Sequence, residues 1–293
     1  MTVDLDPRTR DPLDAPGVRR RRRGRRFVAY ALGGVAVLGG TGWFGLRIEP
    51  QPLPDAGIEA GPVETIPLPD GLPDPVDRFY RTLYGDRLPV VETAVISGRG
   101  QLRVNGITFP ARYRFSHLAG HDYRHYIEVA WFGRPLLAVN EWFLDGTARL
   151  ELPFGVMQGP KVDQGANLAL WAEAGWFPSI WLTDTRTRWE PIDATSARLV
   201  TPFGDETEEF TVTFDPDTGL LERLESMRFK GEEHDTKTRW VNQALDWDVL
   251  DGVPTPMTTT VTWADEGTPW ARLRTEEVIL NADLDRYLRA DGP

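Results

Sequence analysis

Residues 209–230 read EFTVTFDPDTGLLERLESMRFK, two strand-like runs on either side of the sequence Asp215-Pro216-Asp217-Thr218-Gly219. Asp, Pro and Gly favour a tight reversal for separate reasons. An Asp side chain accepts hydrogen bonds from its own following backbone, Pro fixes φ, and Gly tolerates positive φ. The segment therefore predicts two antiparallel strands joined by a turn.

The same pattern extends in both directions along the chain. Asp145-Gly146 is typical of a tight hairpin turn, and Asp251-Gly252 marks a later reversal. The strand-like runs are residues 91–104, 109–116, 123–132, 135–143, 148–152, 197–202, 209–214, 220–230, 236–249, 256–263 and 270–279. They predict about ten strands, mostly neighbours in sequence.

One helical segment interrupts the strands, and another precedes them. Residues 164–176, QGANLALWAEAGW, are dense in good helix formers, with Asp163 available as a cap. Asp74-Pro75 followed by apolar residues at helical spacing predicts a second helix before Gly85. The fold class expected is mainly β (α+β): a curved antiparallel half-barrel meander with the 164–176 helix in its concave face.

The N-terminal region predicts a membrane anchor. Residues 27–46, FVAYALGGVAVLGGTGWFGL, carry no charge and as a helix would span about 30 Å, the thickness of a bilayer core. Seven arginines between Arg19 and Arg26 precede this run, so we expect the N-terminus to stay in the cytoplasm. A cleaved signal peptide is the alternative, but no Ala-x-Ala-like site follows closely.

This reading divides the chain into four parts. Residues 1–26 are a cytoplasmic basic tail, 27–46 a single-pass transmembrane anchor in the bacterial inner membrane, 47–71 a proline-rich spacer, and 72–289 an extracytoplasmic β-rich domain. The oligomeric state stays open.

The composition argues against several function classes. The chain has no Cys and four His among 293 residues, which removes thiolate metal sites, iron–sulfur clusters and disulfides. Its net charge of −11 argues against a nucleic-acid partner, because phosphates would be repelled. We predict no cofactor.

Three of the histidines recur at a spacing of four residues. His117, His121 and His125 would line one face of a helix, but Gly120 and the β-rich residues after it indicate a hairpin. In that hairpin His117 and His125 face each other, and His121 lies at the tip. No acidic residue at ligand spacing completes a site, so we interpret them as surface or rim histidines and predict no metal.

Catalytic motifs are not evident, and we assign no catalytic residue. No serine lies in a G-x-S-x-G elbow, and no phosphate-binding glycine fingerprint is present. Paired carboxylates remain open, with Glu173, Asp184 and Asp193 as candidates. The structural alternative is that Glu173 binds an arginine such as Arg188, because a charge among tryptophans needs a partner.

Aromatic residues are concentrated on and after the central helix, where Trp171, Trp176, Phe177 and Trp181 lie close together. Large aromatic residues are common in ordinary cores, so a packed core is one interpretation. The other is that some of them line an apolar cavity between the helix and a curved sheet.

Five stretches together resemble an uncharacterised family of bacterial, often membrane-anchored, proteins. They are LPDPVDRFY (72–80), GQLRV (100–104), NEWFLDGTARLELPFG (140–155), NLALWAEAGWFPSIWL (167–182) and RWEPIDATSARLV (188–200). The most specific block contains Glu173, Trp176, Pro178, Trp189 and Asp193. The long strands, the inserted helix and the FDPDTG turn also resemble, more loosely, the lipoprotein-carrier half-barrels (LolA/LppX-like) of the bacterial envelope, which hold acyl chains in an apolar cavity.

From these observations we predict a non-catalytic binding domain for a hydrophobic or lipid-like small molecule. Seven residues form the predicted ligand-binding set: Trp171, Glu173, Trp176, Phe177, Trp181, Trp189 and Asp193. An extracytoplasmic hydrolase that uses carboxylates such as Glu173 and Asp193, and a structural or protein-interaction module, are the alternatives.

Overall fold

The computed structural model describes residues 39–55, 57–284, 287–290 and 292. The chain divides into two compact units, one ending at Gly45 and the other beginning at Leu46. In the first unit, residues 39–45 are helical. The predicted basic tail and most of the predicted anchor, residues 27–38, lie outside the described residues. Among the helices that are described, none is long and apolar enough to cross a membrane.

The second unit is mainly β, as expected. Its strands are β1 (Thr65–Pro67), β2 (Arg87–Pro89), β3 (Thr93–Val104), β4 (Ile107–Leu118), β5 (Asp122–Trp131), β6 (Arg134–Leu144), β7 (Thr147–Leu152), β8 (Gly155–Met157), β9 (Arg188–Pro191), β10 (Ser196–Phe203), β11 (Glu206–Phe214), β12 (Leu221–Arg228), β13 (Thr238–Leu250), β14 (Val253–Trp263) and β15 (Pro269–Leu280). Its helices are α1 (Asp74–Tyr84), α2 (Pro160–Glu173) and the short α3 (Ile180–Thr183).

Thirteen strands form one open antiparallel sheet in the order β8-β7-β6-β5-β4-β3-β15-β14-β13-β12-β11-β10-β9. It consists of two meanders, β3–β8 and β9–β15, that join where β15 pairs with β3. A separate pair, β1 and β2, adds two strands. The prediction of about ten strands is therefore too low. The strands it missed, β1, β2, β8 and β9, have three or four residues each, too few for alternation to be visible.

The predicted turns form as expected. Asp145 and Gly146 both have positive φ, 51° and 77°, which is the backbone of a type I′ hairpin between β6 and β7. In the 215–219 turn, the Asp215 carboxylate accepts hydrogen bonds from the backbone N–H groups of Asp217 (3.0 Å) and Thr218 (2.7 Å).

Helix α2 begins four residues earlier than predicted, at Pro160, and ends at Glu173, where a 3₁₀ turn over Ala174–Trp176 follows. Pro160 explains the earlier start, because its fixed φ suits the first helical position. Asp163 is thus inside the first turn of α2 and is not its cap. Residues 164–172 are all buried, so α2 is surrounded by the rest of the domain.

Two adjacent residues of α2 show that the sheet curves around this helix. The Asp163 carboxylate accepts a hydrogen bond from the Ala148 N–H of β7 (2.6 Å), and the Gln164 side chain donates one to the Met227 carbonyl of β12 (3.0 Å). Strands β7 and β12 are eight spacings apart, which is about 38 Å in a flat sheet. One dipeptide can reach both only if the sheet bends around α2.

The segment predicted as a spacer, residues 47–71, contacts the sheet. The guanidinium groups of Arg99, Arg112 and Arg114 donate to backbone carbonyls at Pro50, Gln51, Pro52 and Pro54. Further along, β1 pairs with β2. These contacts hold part of the proline-rich segment against the folded unit.

Candidate functional site: an apolar cavity with a buried polar cluster

A cavity of about 120 Å³ lies beside the C-terminal half of α2. On the helix side its wall includes Ala169, Ala172 and Glu173. Most of the sheet side is aromatic or aliphatic, contributed by Phe115, Leu224, Trp240, Val261, Trp270 and Leu273. The cavity exists because α2 presents alanines here: methyl groups leave space that larger side chains would fill.

A second cavity of about 200 Å³ also has Trp176 in its wall. Trp176 lines both cavities, and its indole N–H donates a hydrogen bond to the Thr275 hydroxyl (2.9 Å). Phe177 lines the second cavity. Trp176 is therefore a partition between two spaces, fixed at its polar end.

One end of the first cavity carries a polar cluster on three elements. Oε2 of Glu173, the last residue of α2, lies 2.7 Å from Nε2 of His125 on β5. Oε2 of Glu141 on β6 lies 3.6 Å from the other ring nitrogen of His125. The Tyr123 hydroxyl donates to Glu141 (2.5 Å), and its ring stacks on His125 with centroids 4.0 Å apart. His125 is thus held between two carboxylates.

His117 on β4 completes the cluster. Its Nε2 lies 3.2 Å from Oε2 of Glu173 but is not oriented for a hydrogen bond. The side chain is fully buried, and among the described residues neither ring nitrogen has a hydrogen-bond partner. Such an imidazole is uncommon, because an unpaired buried polar group costs roughly 1–3 kcal/mol.

The cluster strongly shifts the pKa values of its members. Burial lowers the pKa of His125, but the carboxylates of Glu173 and Glu141 outweigh burial and raise it to about 9. Burial raises the pKa of Glu173, but the two imidazoles reverse this effect and bring it to about 2. Burial lowers the pKa of His117 and outweighs the opposite effect of the Glu173 carboxylate.

Arg228 at the end of β12 brings a cation to the same cavity. Its guanidinium carbon lies 4.4 Å from the ring centroid of Trp240, and its buried Nε has no hydrogen-bond partner in the described part of the chain. No carboxylate in the described part of the chain forms an ion pair with Arg228, that is, lies within 4.0 Å of its guanidinium nitrogens. Glu141 and Glu173 are farther away but still raise its pKa. The cavity therefore contains a guanidinium without a bound anion.

The structure distributes the seven predicted ligand-binding residues among different environments. Glu173 and Trp176 line the first cavity, and Trp176 and Phe177 line the second. Trp171 and Trp181 are fully buried in the core, where the Trp181 indole donates to the Trp171 carbonyl (3.0 Å). Trp189 on β9 packs against Trp181 and Phe214.

Asp193 is in an exposed turn. Its carboxylate accepts hydrogen bonds from the backbone of Thr195 (2.9 Å) and Ser196 (2.8 Å), which lowers its pKa. Asp193 does not line the cavity that Glu173 lines, so the structure does not bring this carboxylate pair into one pocket. The carboxylate that does share the cavity with Glu173 is Glu141.

Two of the structural interpretations made from the sequence are wrong. Glu173 has histidine partners and not an arginine, because α2 ends opposite β4 and β5. His117 and His125 are buried and are not rim residues. The expected absence of a metal site rested on that rim interpretation.

Sequence reasoning did not single out Glu141, Arg228, Trp240 or Trp270 as members of the site. Glu141 could have been predicted from the strand register. It is paired directly with His125 between β5 and β6, so both side chains point to the same face of the sheet. Arg228 has no such local signal.

The fold and the site define a class of protein: an open antiparallel sheet wrapped around a helix, with an apolar cavity that contains a charged cluster. The chain belongs to the family of unknown function DUF6544, which matches residues 62–273, well over half of its length. This agrees with the uncharacterised family expected from the sequence. A comparison with curated protein sequences finds no match.

Three solved structures are similar to this chain. A DUF1329 family protein from Desulfovibrio piger is 13% identical over 66% of this chain and 87% of its own, with a TM-score of 0.39. A putative outer membrane lipoprotein-sorting protein domain from Vibrio parahaemolyticus is 11% identical over 72% and 91%, with a TM-score of 0.39. A LolA superfamily protein from Nitrosomonas europaea is 12% identical over 75% and 93%, with a TM-score of 0.39.

These names agree with the looser resemblance to lipoprotein carriers noted from the sequence. Identities and TM-scores this low do not carry a function from those proteins to this chain.

Proposed function

We propose that this domain binds a small amphipathic molecule, with an apolar body in the first cavity and an anionic group at Arg228. The observation that carries the proposal is a guanidinium, without a carboxylate partner among the described residues, beside an apolar cavity. Desolvating a cation without an anion is costly, so an anionic ligand would gain its ion pair at a guanidinium that folding has already partly desolvated.

The size of the cavity limits the ligand. A volume of about 120 Å³ is close to that of an engineered apolar cavity of about 150 Å³ that binds benzene. A short alkyl or aromatic group fits such a space, whereas a whole phospholipid requires more. The ligand we propose is an acid with one alkyl chain of up to about eight carbons, or the part of a lipid that carries one such chain.

Location is part of the same proposal and rests on the sequence. The uncharged run 27–46 behind seven arginines supports a single-pass inner-membrane anchor with the domain on the extracytoplasmic side. Protease added to intact spheroplasts should digest the domain. Full protection before lysis, with digestion afterwards, would contradict this location.

The binding test uses three eight-carbon compounds that differ only in their polar group: octanoate, octanol and octylamine. The full chain is purified in a detergent that is itself excluded from the cavity, stripped of bound molecules, and titrated by calorimetry and by its tryptophan fluorescence. We expect octanoate to bind about tenfold or more tightly than octylamine, because only octanoate pairs with Arg228.

Arg228→Gln removes the cation and keeps much of the shape, and it should abolish the preference for octanoate. The matched control is Arg239→Gln on the neighbouring strand, whose side chain is 61% exposed and which does not line the cavity. Failure of all three compounds to bind, or an unchanged preference in Arg228→Gln, would refute the proposal.

A further inference from the structure

The buried cluster at the end of the cavity has the composition of a metal site. His117, His125 and Glu173 each offer one ligand atom, and these atoms lie within 4.8 Å of one another. Two imidazoles and one carboxylate are a donor set that proteins use for zinc and related transition ions. We propose that these three residues bind a divalent transition ion of the zinc type, which goes beyond the binding function proposed above.

The ligands are brought together by the fold. β4 and β5 form a hairpin in which His117 is paired with Tyr123, and His125 with Phe115. Residues two apart on one strand share a face, so His117 and His125 are diagonal neighbours on the inner face of the sheet. Helix α2 then ends with Glu173 directly opposite them.

Two of the three distances between ligand atoms are near those that a tetrahedral ion requires, and the two histidine nitrogens, within 4.8 Å of each other, would have to close to about 3.3 Å. Metal–ligand bonds of about 2.0–2.1 Å place tetrahedral ligand atoms about 3.3 Å apart. The distance from His117 Nε2 to Glu173 Oε2 is 3.2 Å. The hydrogen bond from His125 to Glu173, at 2.7 Å, would have to widen by about 0.6 Å as an ion replaces its proton.

An independent observation concerns His117. This side chain is fully buried, its Nε2 points toward the cluster, and neither ring nitrogen has a hydrogen-bond partner among the described residues. A hydrogen-bonded core histidine would not leave both nitrogens unpaired. Coordination of an ion through Nε2 would give this nitrogen an aligned partner, which the Glu173 carboxylate at 3.2 Å does not provide.

The surroundings resemble a second coordination shell. Metal-binding histidines commonly direct their second nitrogen to a carboxylate that orients the ring. Glu141 has this position toward His125, at 3.6 Å, and is itself held by the Tyr123 hydroxyl. His125 and Glu173 also line the cavity, so an ion held by three protein ligands would have its fourth position facing that space.

The test measures metal binding directly. The full chain is purified without a polyhistidine tag, treated with a chelator and titrated with Zn²⁺ by calorimetry, and with Co²⁺ by visible absorption, which reports tetrahedral or five-coordinate geometry. We expect one ion per chain and no comparable binding of Mg²⁺, because imidazole donors do not favour that ion.

His117→Gln and Glu173→Gln should each weaken Zn²⁺ binding by at least a hundredfold and remove the cobalt absorption bands. The controls are His121→Ala and His234→Ala, whose side chains lie outside the cluster and which should bind as the wild type does. Circular dichroism checks that every variant is folded. If a ligand variant does not fold, His125→Gln replaces it.

Several results would overturn the proposal: no uptake of Zn²⁺ or Co²⁺ by the wild type, unchanged uptake in the folded ligand variants, or loss of uptake in either control. Octanoate binding in the chelated protein is measured in parallel. A failure to bind metal is thereby distinguishable from a failure to bind octanoate at Arg228.

Discussion

Filling the first cavity from the helix side tests the roles of that space in stability and in ligand binding. Ala172 lies on α2 and lines the cavity, and Leu in its place adds three carbons with little loss of helix propensity. The substitution should stabilise the ligand-free protein and exclude the ligand at the same time.

The size of the effect follows from the volume. Empty core space costs about 24 cal/mol per Å³, so a cavity of about 120 Å³ corresponds to at most about 3 kcal/mol. Three buried carbons contribute about 2.4 kcal/mol by transfer free energy. Some strain is unavoidable, so we expect Ala172→Leu to raise the free energy of unfolding by about 1–2 kcal/mol.

Urea denaturation followed by tryptophan fluorescence measures this change, and calorimetry with octanoate measures the affinity, which should fall at least tenfold. The matched control is Ala166→Leu, six residues earlier on the same helix. Ala166 is 1% exposed and does not line the cavity, so Leu there overpacks the core and should cost about 1–3 kcal/mol. If Ala172→Leu is as destabilising as Ala166→Leu, or if octanoate binds it as tightly as the wild type, the cavity argument is wrong.

Three other predictions concern the partition, the sheet and the charged cluster. Trp176→Ala should lower the free energy of unfolding by about 3–5 kcal/mol in urea titrations. It should also join the two cavities and so let longer acids bind. An unchanged preference for chain length would contradict the role of Trp176 as a partition. Gly98→Ala should unfold at lower urea than the wild type, because its Cβ would lie 2.0 Å from the Arg274 carbonyl oxygen; equal midpoints would show that β3 and β15 do not approach so closely. In metal-free protein, the pKa of His125 is raised from 6.5 to about 9. The contribution of His125 to the free energy of unfolding is therefore complete below pH 6.5 and is lost as the pH rises through 9. Glu173→Gln should flatten this fall in stability, and a pH profile identical to that of the wild type would refute the coupling of His125 to Glu173.

Local patterns in the sequence predicted much of the fold. The Asp145-Gly146 and Asp215–Gly219 turns formed as expected, because a two- or five-residue reversal depends on its own side chains. Strands β8 and β9 were missed because edge strands this short form through their pairing with β7 and β10, and their own residues do not indicate a strand. The start of α2 was misplaced since Pro160, and not Asp163, begins the helix.

The site was less accessible to sequence reasoning. The hairpin that places His117 and His125 on one face was predicted, but their burial was not, because it depends on α2, which comes about forty residues later. Trp171 and Trp176 look equivalent in the sequence, yet one is in the core and the other lines both cavities. Arg228 reaches the cavity only through the curvature of the whole sheet.

The junction between the two meanders has a consequence for synthesis of the protein. β15 pairs with β3 across most of the domain, with Ala271 opposite Leu102 and Leu280 opposite Ala94. Each hairpin can form as it emerges from the ribosome, but this closing pair must wait for the final strand. Until then the nascent chain exposes two unpaired strand edges and the indoles meant for its interior. Release of β15 thus sets the earliest moment at which the cavity beside α2 can exist, and we expect a chain cut short before β15 to be a substrate for chaperones and proteases.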